Sequence, residues 1–403
     1  MKGLPVPAIT LFLTFGAVAT ITLLCAYWLY GHQTSFRSCR QPCGILSTQD
    51  RRVYIKLLKH VHAGFKNGNS FPRFTSVVMA VTDLDTVSYV ALSYTWKRHI
   101  AMRSTSPLCR QILLDGSLLA VEENLWDFLT SDPGAEVMKS HQLLFIDAIC
   151  INQSVNLERE RQIPLIPVVY ENATRIVVWL GKDGRACPHN PARSTQIGAT
   201  SLNELDPCVL RFVAHNLYWT RLFVVPELIL AGNVLICVND EVVEWDGMQD
   251  IDALSQLLRQ KCPTPNAYQP MIKILEFKRA WDQTRHCFNS TRTKHAQGFL
   301  LFDALQIAAQ LHCKYPRDRI NAMLPLTRNC PIRADYGHIR TNFNLCKDVL
   351  QYGMKELYEE GRSEEQMRDA AAFLVGFCQP LLSGHDQVRA AQLVRQTLNS
   401  LYA

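Results

Sequence analysis

The sequence lacks the short motifs that assign many enzymes directly. It contains no G-x-S-x-G turn, no G-x-x-x-x-G-K-[ST] loop and no G-x-G-x-x-G segment. The first motif exposes a nucleophilic serine, and the other two let backbone amides approach a phosphate. Hydrolases with a serine elbow, P-loop nucleotidases and Rossmann dinucleotide enzymes are therefore excluded.

Charge is also scarce. Only 19% of the 403 residues are charged, and 42 Lys and Arg against 36 Asp and Glu leave a formal net charge of +6. The bases form no long run, so we expect no nucleic-acid partner. With 48% hydrophobic residues and no low-complexity tract, the chain is predicted to be globular and long enough for two or three domains.

Cysteine is present, with 14 residues, but it forms neither a disulfide framework nor a zinc motif. Most cysteines lie in apolar runs such as Ala148–Ile151, which is typical of small buried side chains in a reducing compartment. The pairs His286-Cys287 and His312-Cys313 have no second pair at zinc spacing. We expect no metal site and no certain cofactor.

The N-terminal residues 1–31 are predicted to form a transmembrane anchor. No charged side chain occurs between Gly3 and Gly31, and residues 8–30 are almost entirely apolar. Tyr27, Trp28 and Tyr30 cluster at the downstream edge, where aromatic rings favour the headgroup region. A cleaved signal peptide is the alternative, although its apolar core is normally shorter.

A basic segment follows the predicted anchor. Residues 32–66 carry seven bases and one acid, Asp50, so their charge alone equals the net +6 of the whole chain. The positive-inside bias predicts a single-pass protein with its C-terminal bulk in the cytosol, of a membrane that the sequence does not specify. Residues 8–30 and 32–66 are thus the expected contacts with membrane lipid.

The rest of the chain divides into three predicted segments. Residues 32–76 form a juxtamembrane segment with a short amphipathic helix at 50–62, residues 77–231 an α/β domain, and residues 232–403 a mainly helical region. Strand-like runs in the α/β domain alternate with helical ones, which predicts a three-layer domain with a largely parallel sheet. Four elements carry this prediction: a strand at 87–96, a hairpin at 111–121 about Asp115-Gly116, and buried strands at 143–151 and 175–180.

Polar residues lie where these strands end. Asp147 interrupts an apolar run that Asn152 and Gln153 close, and it is either structural or a site residue, because a buried carboxylate needs a partner. Glu227 lies in the apolar segment Leu222–Leu230, six residues after Arg221. This glutamate is either the ion-pair partner of an arginine, which we favour, or a group kept for chemistry.

These residues closely resemble the heterokaryon-incompatibility (HET) domain of fungi over roughly 88–231. Six short motifs in a fixed order carry the resemblance: Tyr89-Val-Ala-Leu-Ser-Tyr-Thr-Trp96, Phe145-Ile-Asp-Ala-Ile-Cys-Ile-Asn-Gln153, Glu158-Arg-Glu-Arg-Gln162, Tyr170-Glu-Asn-Ala173, Val177-Val-Trp-Leu-Gly181 and Tyr218-Trp-Thr-Arg221. Downstream, Pro316–Ile320 and Ala334–Tyr336 resemble the segment that commonly follows that domain.

The resemblance implies a role in non-self recognition or regulated cell death. HET domains are distantly similar to TIR domains, which implies a TIR- or flavodoxin-like fold. Some TIR domains assemble as signalling scaffolds, and others cleave NAD with a glutamate. Carried over, Glu227 becomes the candidate catalytic residue, and NAD a possible substrate. The other signature positions, with binding or structural roles, are Ser93, Tyr94, Trp96, Asp147, Asn152, Gln153, Glu158, Gln162, Trp219 and Arg221.

This sequence departs from the family pattern at three places. Lys97 stands where the family usually has glycine, and Pro226 where it usually has glutamine. Pro164 and Pro167 predict a break near Ile163 in a helix that normally continues. Three hypotheses follow: a membrane-anchored signalling protein that acts by self-association or by binding another signalling protein, a TIR-like NAD glycohydrolase, and an inactive regulatory paralogue.

Overall fold

The structure is a computed structural model, and it describes residues 53–66, 69–96, 110–182, 205–244, 251–261, 265–288, 298–336 and 339–402. The predicted anchor at 8–30, most of the basic segment and Lys97 lie outside these residues. Within the described ranges, no helix is both long and apolar enough to cross a membrane. The anchor and its orientation therefore remain predictions.

The described residues of the N-terminal two thirds build one nine-stranded sheet. Its strands are β1 (Tyr54–Lys66), β2 (Asn69–Ala80), β3 (Tyr89–Tyr94), β4 (Arg110–Leu114), β5 (Ser117–Val121), β6 (Leu143–Ile146), β7 (Arg175–Trp179), β8 (Val234–Val238) and β9 (Glu241–Glu244). They lie in the order β5-β4-β2-β1-β6-β3-β7-β8-β9. The sheet includes strand residues on both sides of the predicted domain boundaries at 76/77 and 231/232. The domain boundaries stay predictions.

The sheet is mixed, so the prediction of a largely parallel sheet is wrong. The centre β6-β3-β7-β8 is parallel, whereas β1 joins β6 and β2 in antiparallel pairs and both outer hairpins are antiparallel. The helix predicted at 50–62 is also wrong, because these residues lie mostly in β1. Ile55, Lys56, Leu57 and Leu58 are all buried, as expected of an inner strand covered on both faces.

Several local predictions are confirmed. The hairpin of β4 and β5 turns at Asp115 and Gly116, whose φ angles of 49° and 78° lie in the left-handed region. The helix break near Ile163 is a 3-10 turn at Ile163–Leu165 that contains Pro164. The strand predicted at 143–151 is shorter than expected, because β6 ends at Ile146 and a helical turn follows.

Helices flank the sheet and then make up most of the C-terminal region. They are α1 (Glu123–Leu129), α2 (Asp132–Ser140), α3 (Asp147–Cys150), α4 (Asn156–Gln162), α5 (Ile166–Asn172), α6 (Pro207–Ala214), α7 (Val224–Leu230), α8 (Ile251–Lys261), α9 (Pro265–Phe288), α10 (Leu301–Ala308), α11 (Asp318–Asn321), α12 (Asn342–Glu359), α13 (Glu364–Cys378) and α14 (Gly384–Tyr402). The α/β class and the mainly helical C-terminal region are therefore confirmed.

Candidate functional site

The candidate site lies at the carboxyl end of β3, one of the two inner strands of the parallel part of the sheet. Every residue of β3 is buried, and the strand pairs with β6 on one side and β7 on the other. Leu92 is opposite Ile146, so Ser93 and Asp147 follow at the same level of the sheet. Because neighbouring parallel strands end at one edge, residues distant in sequence meet there, as ligand-binding groups do in open α/β sheets.

A hydrogen-bonded cluster of three side chains forms the centre of this edge. Ser93 Oγ donates a short hydrogen bond to Glu227 Oε2, and it also lies 2.7 Å from Tyr218 Oη. Ser93 and Tyr218 are at most 1% exposed, and Glu227 is 8% exposed. We call Ser93, Tyr218 and Glu227 the Ser93–Glu227 centre.

The sequence of α7 explains why Glu227 is buried. All seven residues of this helix are buried, including the apolar neighbours on either side of the glutamate. Pro226 lies in the first turn, where a backbone N–H has no intrahelical acceptor, so the proline removes no helix hydrogen bond. The helix therefore forms despite the departure from the family pattern, and it carries the carboxyl group into the protein interior.

Burial dominates the ionisation of Glu227. It raises the pKa of this carboxyl group from 4.5 to about 8, and the negative charge of Asp147 acts in the same direction. The positive charge of Arg221 and the hydroxyl of Ser93 lower the pKa but do not offset the burial. Glu227 is therefore mostly protonated at neutral pH.

Arg221 lies near both carboxyl groups but is anchored elsewhere. Its Nη1 donates a short hydrogen bond to the carbonyl oxygen of Tyr94, the last residue of β3. Among the described residues, neither Glu227 nor Asp147 forms an ion pair with Arg221 within 4.0 Å. The favoured interpretation of Glu227 as an ion-pair partner is therefore replaced by a hydroxyl–carboxyl pair, with Arg221 acting through longer-range electrostatics.

Asp147 and Trp96 form the more exposed side of the site. The indole Nε1 of Trp96 donates to Asp147 Oδ2 at 3.4 Å, and the backbone N–H of Ala148 donates to Asp147 Oδ1 at 2.7 Å. Burial raises the pKa of Asp147, and Arg221 together with these two donors lowers it. Trp96 is 37% exposed, so this edge of the site is open to solvent.

The other predicted site residues make structural contacts away from the centre. Glu158 Oε1 accepts from the backbone N–H of Asn152 at 2.9 Å, and Asn152 Oδ1 accepts from Ser154 Oγ at 2.7 Å. Gln153 is half-buried in the same turn. These contacts shape the turn that leads from α3 into α4.

Two further signature residues tie separate elements together. Gln162 Nε2 donates to the carbonyl oxygen of Tyr54 at 2.9 Å and so fixes α4 to the start of β1. Trp219 Nε1 donates to the carbonyl oxygen of Val213 at 2.7 Å, and its ring lies edge-on to Tyr218. Both residues therefore act in the fold rather than in the centre.

Sequence reasoning missed four polar residues at this edge. Tyr170 Oη donates to the carbonyl oxygen of Leu92 at 3.0 Å, and burial followed by the charge of Glu227 raises the pKa of Tyr170. Tyr170 and Tyr218 both lie in motifs of the resemblance, but neither is among the predicted site residues. Asn124 Nδ2 donates to Thr95 O at 2.5 Å, and Asn216 Nδ2 to Leu180 O at 2.7 Å. The sequence signal that could have identified such residues is a polar side chain within a mainly apolar helix or strand.

The described residues hold no group of three or more His, Cys, Asp or Glu side chains that could bind a metal ion. The chemistry available at the site is that of one buried carboxylic acid, a more exposed carboxylate and a guanidinium. Such a set could stabilise a developing positive charge or transfer a proton. The absence of a metal site and of a certain cofactor stays a prediction.

One comparison with known protein families gives a match that includes part of this site. The family model described as "Heterokaryon incompatibility protein (HET)" matches residues 89–208. This range runs from the first residue of β3 into α6 and includes Ser93 and Asp147, whereas Arg221 and Glu227 follow it. No curated protein and no solved structure matches the chain significantly. Residues 89–208 of the chain therefore match the HET family, which supports the resemblance that the short motifs carry.

Proposed function

We propose that this protein acts in heterokaryon incompatibility or a related regulated cell-death response, through self-assembly or the binding of another signalling protein. The groups of the Ser93–Glu227 centre are buried and hydrogen-bonded to one another, which supports a signalling role over catalysis. The carboxyl group of Glu227 is almost fully buried and already hydrogen-bonded to Ser93, and the guanidinium of Arg221 is bound to a backbone carbonyl. These groups hold α7 and the turn at Arg221 against β3.

Induced expression of the full chain in a fungal host tests this proposal. We expect loss of viability together with a slow-migrating or cross-linkable assembly. Glu227→Gln preserves the size of the side chain and a hydrogen-bond acceptor for Ser93, so signalling by assembly should survive this substitution. Expression with neither loss of viability nor an assembly would contradict the proposal.

A second candidate function is hydrolysis of NAD to nicotinamide and ADP-ribose. The perturbed pKa of Glu227, beside Arg221 and Asp147 at the carboxyl edge of a parallel sheet, favours it. In this reaction the bond between nicotinamide and ribose breaks, water adds to the ribose carbon, and an ionised Glu227 stabilises the oxocarbenium-like transition state. Activity should therefore rise with pH through about 8, where Glu227 ionises.

Incubation of the full chain in lipid nanodiscs with NAD, at both low and high protein concentration, distinguishes the two functions. Release of nicotinamide that is lost in Glu227→Gln and retained in Glu359→Gln, an exposed glutamate on α12, would support the enzyme. Absence of nicotinamide release even when the protein is clustered would rule the enzyme out. Cell death without NAD consumption would leave assembly as the mechanism.

The membrane anchor at residues 8–30 belongs to the same proposal. The chain offers a direct test of its orientation in the Asn-x-Ser/Thr sequons at Asn152, Asn172 and Asn289. With the C-terminal bulk in the cytosol, these asparagines carry no glycan, so treatment with an N-glycosidase leaves the mobility of the membrane-fraction protein unchanged. A shift in mobility would place the HET domain in the lumen.

A further inference from the structure

The C-terminal helical region contacts both elements that carry the charged groups of the site. One element is the turn at Thr220–Leu222, which carries Arg221, and the other is α7, which carries Glu227. The contacting residues, His312 and Lys278, follow the range matched by the family model by 104 and 70 residues, counted from its end at 208. The C-terminal helical region, which lies outside the matched range, thus contacts both elements of the site.

The first contact is a backbone bridge to the arginine turn. His312 N donates to Thr220 O at 2.7 Å, and Leu222 N donates to His312 O at 3.0 Å. His312 thereby pairs with Arg221 as in a parallel sheet, while its own side chain is exposed. Because the backbone of Arg221 is held on one side by this bridge, its guanidinium can reach the carbonyl of Tyr94 on the other.

The second contact is a buried lysine at the end of the glutamate helix. Lys278 of α9 is 1% exposed, and its Nζ donates to Ala231 O at 2.7 Å and to Ile229 O at 3.5 Å. The same ammonium group forms an ion pair of 2.6 Å with Asp282 Oδ1. A cation at the carboxyl end of a helix binds its unpaired carbonyl groups, so Lys278 caps α7.

A network of ion-pair and hydrogen-bond contacts stabilises the chain that follows His312. Five residues after His312, the buried Arg317 forms an ion pair of 3.1 Å with Asp335. Asn321 exchanges hydrogen bonds with the backbone N–H and C=O of Asp335, and Arg340 N donates to Asp335 Oδ2 at 2.7 Å. The two downstream sequence motifs, at 316–320 and 334–336, therefore contact each other through this network. Because the network begins five residues after His312, it connects both motifs to the site.

We propose that the C-terminal helical region is the control element of the Ser93–Glu227 centre: it holds Arg221 through the backbone of His312 and Glu227 through Lys278, so that displacing this region releases both groups. The inference deepens the proposed function, on which it rests, because it assigns the regulation of the same centre. A partner that binds the C-terminal region would then act on the centre without touching it.

The His312 bridge can be tested with a matched pair of variants of the full chain. His312→Pro removes the N–H that binds Thr220, whereas His312→Ala keeps it and changes only an exposed side chain. Hydrogen exchange followed by mass spectrometry should show roughly tenfold faster exchange over residues 218–231 in His312→Pro and none of this change in His312→Ala.

The protonation of Glu227 supplies a readout that a purely structural role would not change. The infrared band of its protonated carboxyl group, identified by its loss in Glu227→Gln, can be followed against pH. Because burial is the main cause of the high pKa of Glu227, release of α7 should lower the midpoint of this titration. Unchanged exchange and an unchanged midpoint in His312→Pro would overturn the proposal.

Lys278→Met provides an independent test if His312→Pro does not fold. Lys273→Met is its control, because Lys273 lies on the same helix but is exposed, and its ammonium group donates a hydrogen bond to Gln310 Oε1. Faster exchange over residues 224–231 in Lys278→Met alone supports the control element, and equal exchange in the two variants contradicts it. Both readouts use the isolated protein, so they hold or fail independently of the cell-death assay.

Discussion

Ser93 and Glu227 are 134 residues apart in the chain, and their side chains share a hydrogen bond in the buried end of the sheet. Ser93 comes from the inner strand β3 and Glu227 from the fully buried helix α7. Tyr218 joins the same hydroxyl group at 2.7 Å. This hydrogen bond therefore forms only when β3 and α7 pack against each other in the tertiary structure.

Removal of the Ser93 hydroxyl should destabilise the protein clearly. Ser93→Ala leaves the buried groups of Glu227 and Tyr218 without their shared partner, which should lower the free energy of unfolding by about 2–3 kcal/mol. The exposed Ser400→Ala, which also loses one hydrogen bond, should change it by less than about 0.5 kcal/mol. Urea denaturation of both variants measures the difference, and equal midpoints would contradict it.

Stability should fall as the pH rises from about 5 to 8. The folded pKa of Glu227, about 8, exceeds its ordinary value of 4.5, so the folded state binds more protons over this window. The stabilisation is complete below about pH 4.5, declines above it, and is lost once the pH passes 8. Between an unfolded pKa of 4.5 and a folded pKa of about 8, its total magnitude for Glu227 is on the order of 5 kcal/mol.

Glu227→Gln should reduce this slope, because glutamine does not ionise. Some slope should remain, since burial also raises the pKa of Glu356 to about 7. Urea denaturation at pH 5, 6.5 and 8 compares the parent with the variant. A parent whose stability increases with pH, or a variant with an unchanged slope, would refute the assignment.

The buried ion pair of Arg317 and Asp335 should contribute more to the free energy of unfolding than an exposed ion pair does. Arg317→Met leaves the carboxylate of Asp335 without its buried cation, which should cost about 3 kcal/mol. Arg368→Met breaks an ion pair on the surface of α13, where the arginine side chain is 71% exposed, and should cost less than about 0.5 kcal/mol. Thermal and urea denaturation provide the test, which fails if the two losses are the same.

The tight turn between β4 and β5 should require its glycine for backbone reasons alone. A Cβ at Gly116 would meet no atom within 4 Å, but the φ angle of 78° is unfavourable for alanine. Gly116→Ala should therefore destabilise by about 1 kcal/mol. Gly376→Ala, in the helix α13 and equally free of close neighbours, should instead stabilise by up to about 1 kcal/mol.

Sequence alone identified the features that depend on neighbouring residues. The Asp115-Gly116 turn and the break at Pro164 follow from backbone preferences that act within a few positions. The order of the short motifs likewise sufficed to identify the HET domain that the family model matches. These signals are local, so no knowledge of the fold was needed.

Only the tertiary structure decided which of these residues meet. Residues 54–66 carry an apolar and basic pattern that suits either a helix or a strand, and pairing with β2 and β6 makes them a strand. The partner of Glu227 is Ser93 rather than Arg221, because the parallel ends of β3 and β6 and the burial of α7 fix the distances. Hydrogen bonds between distant residues depend on how strands pair and helices pack, which spacing along the chain does not specify.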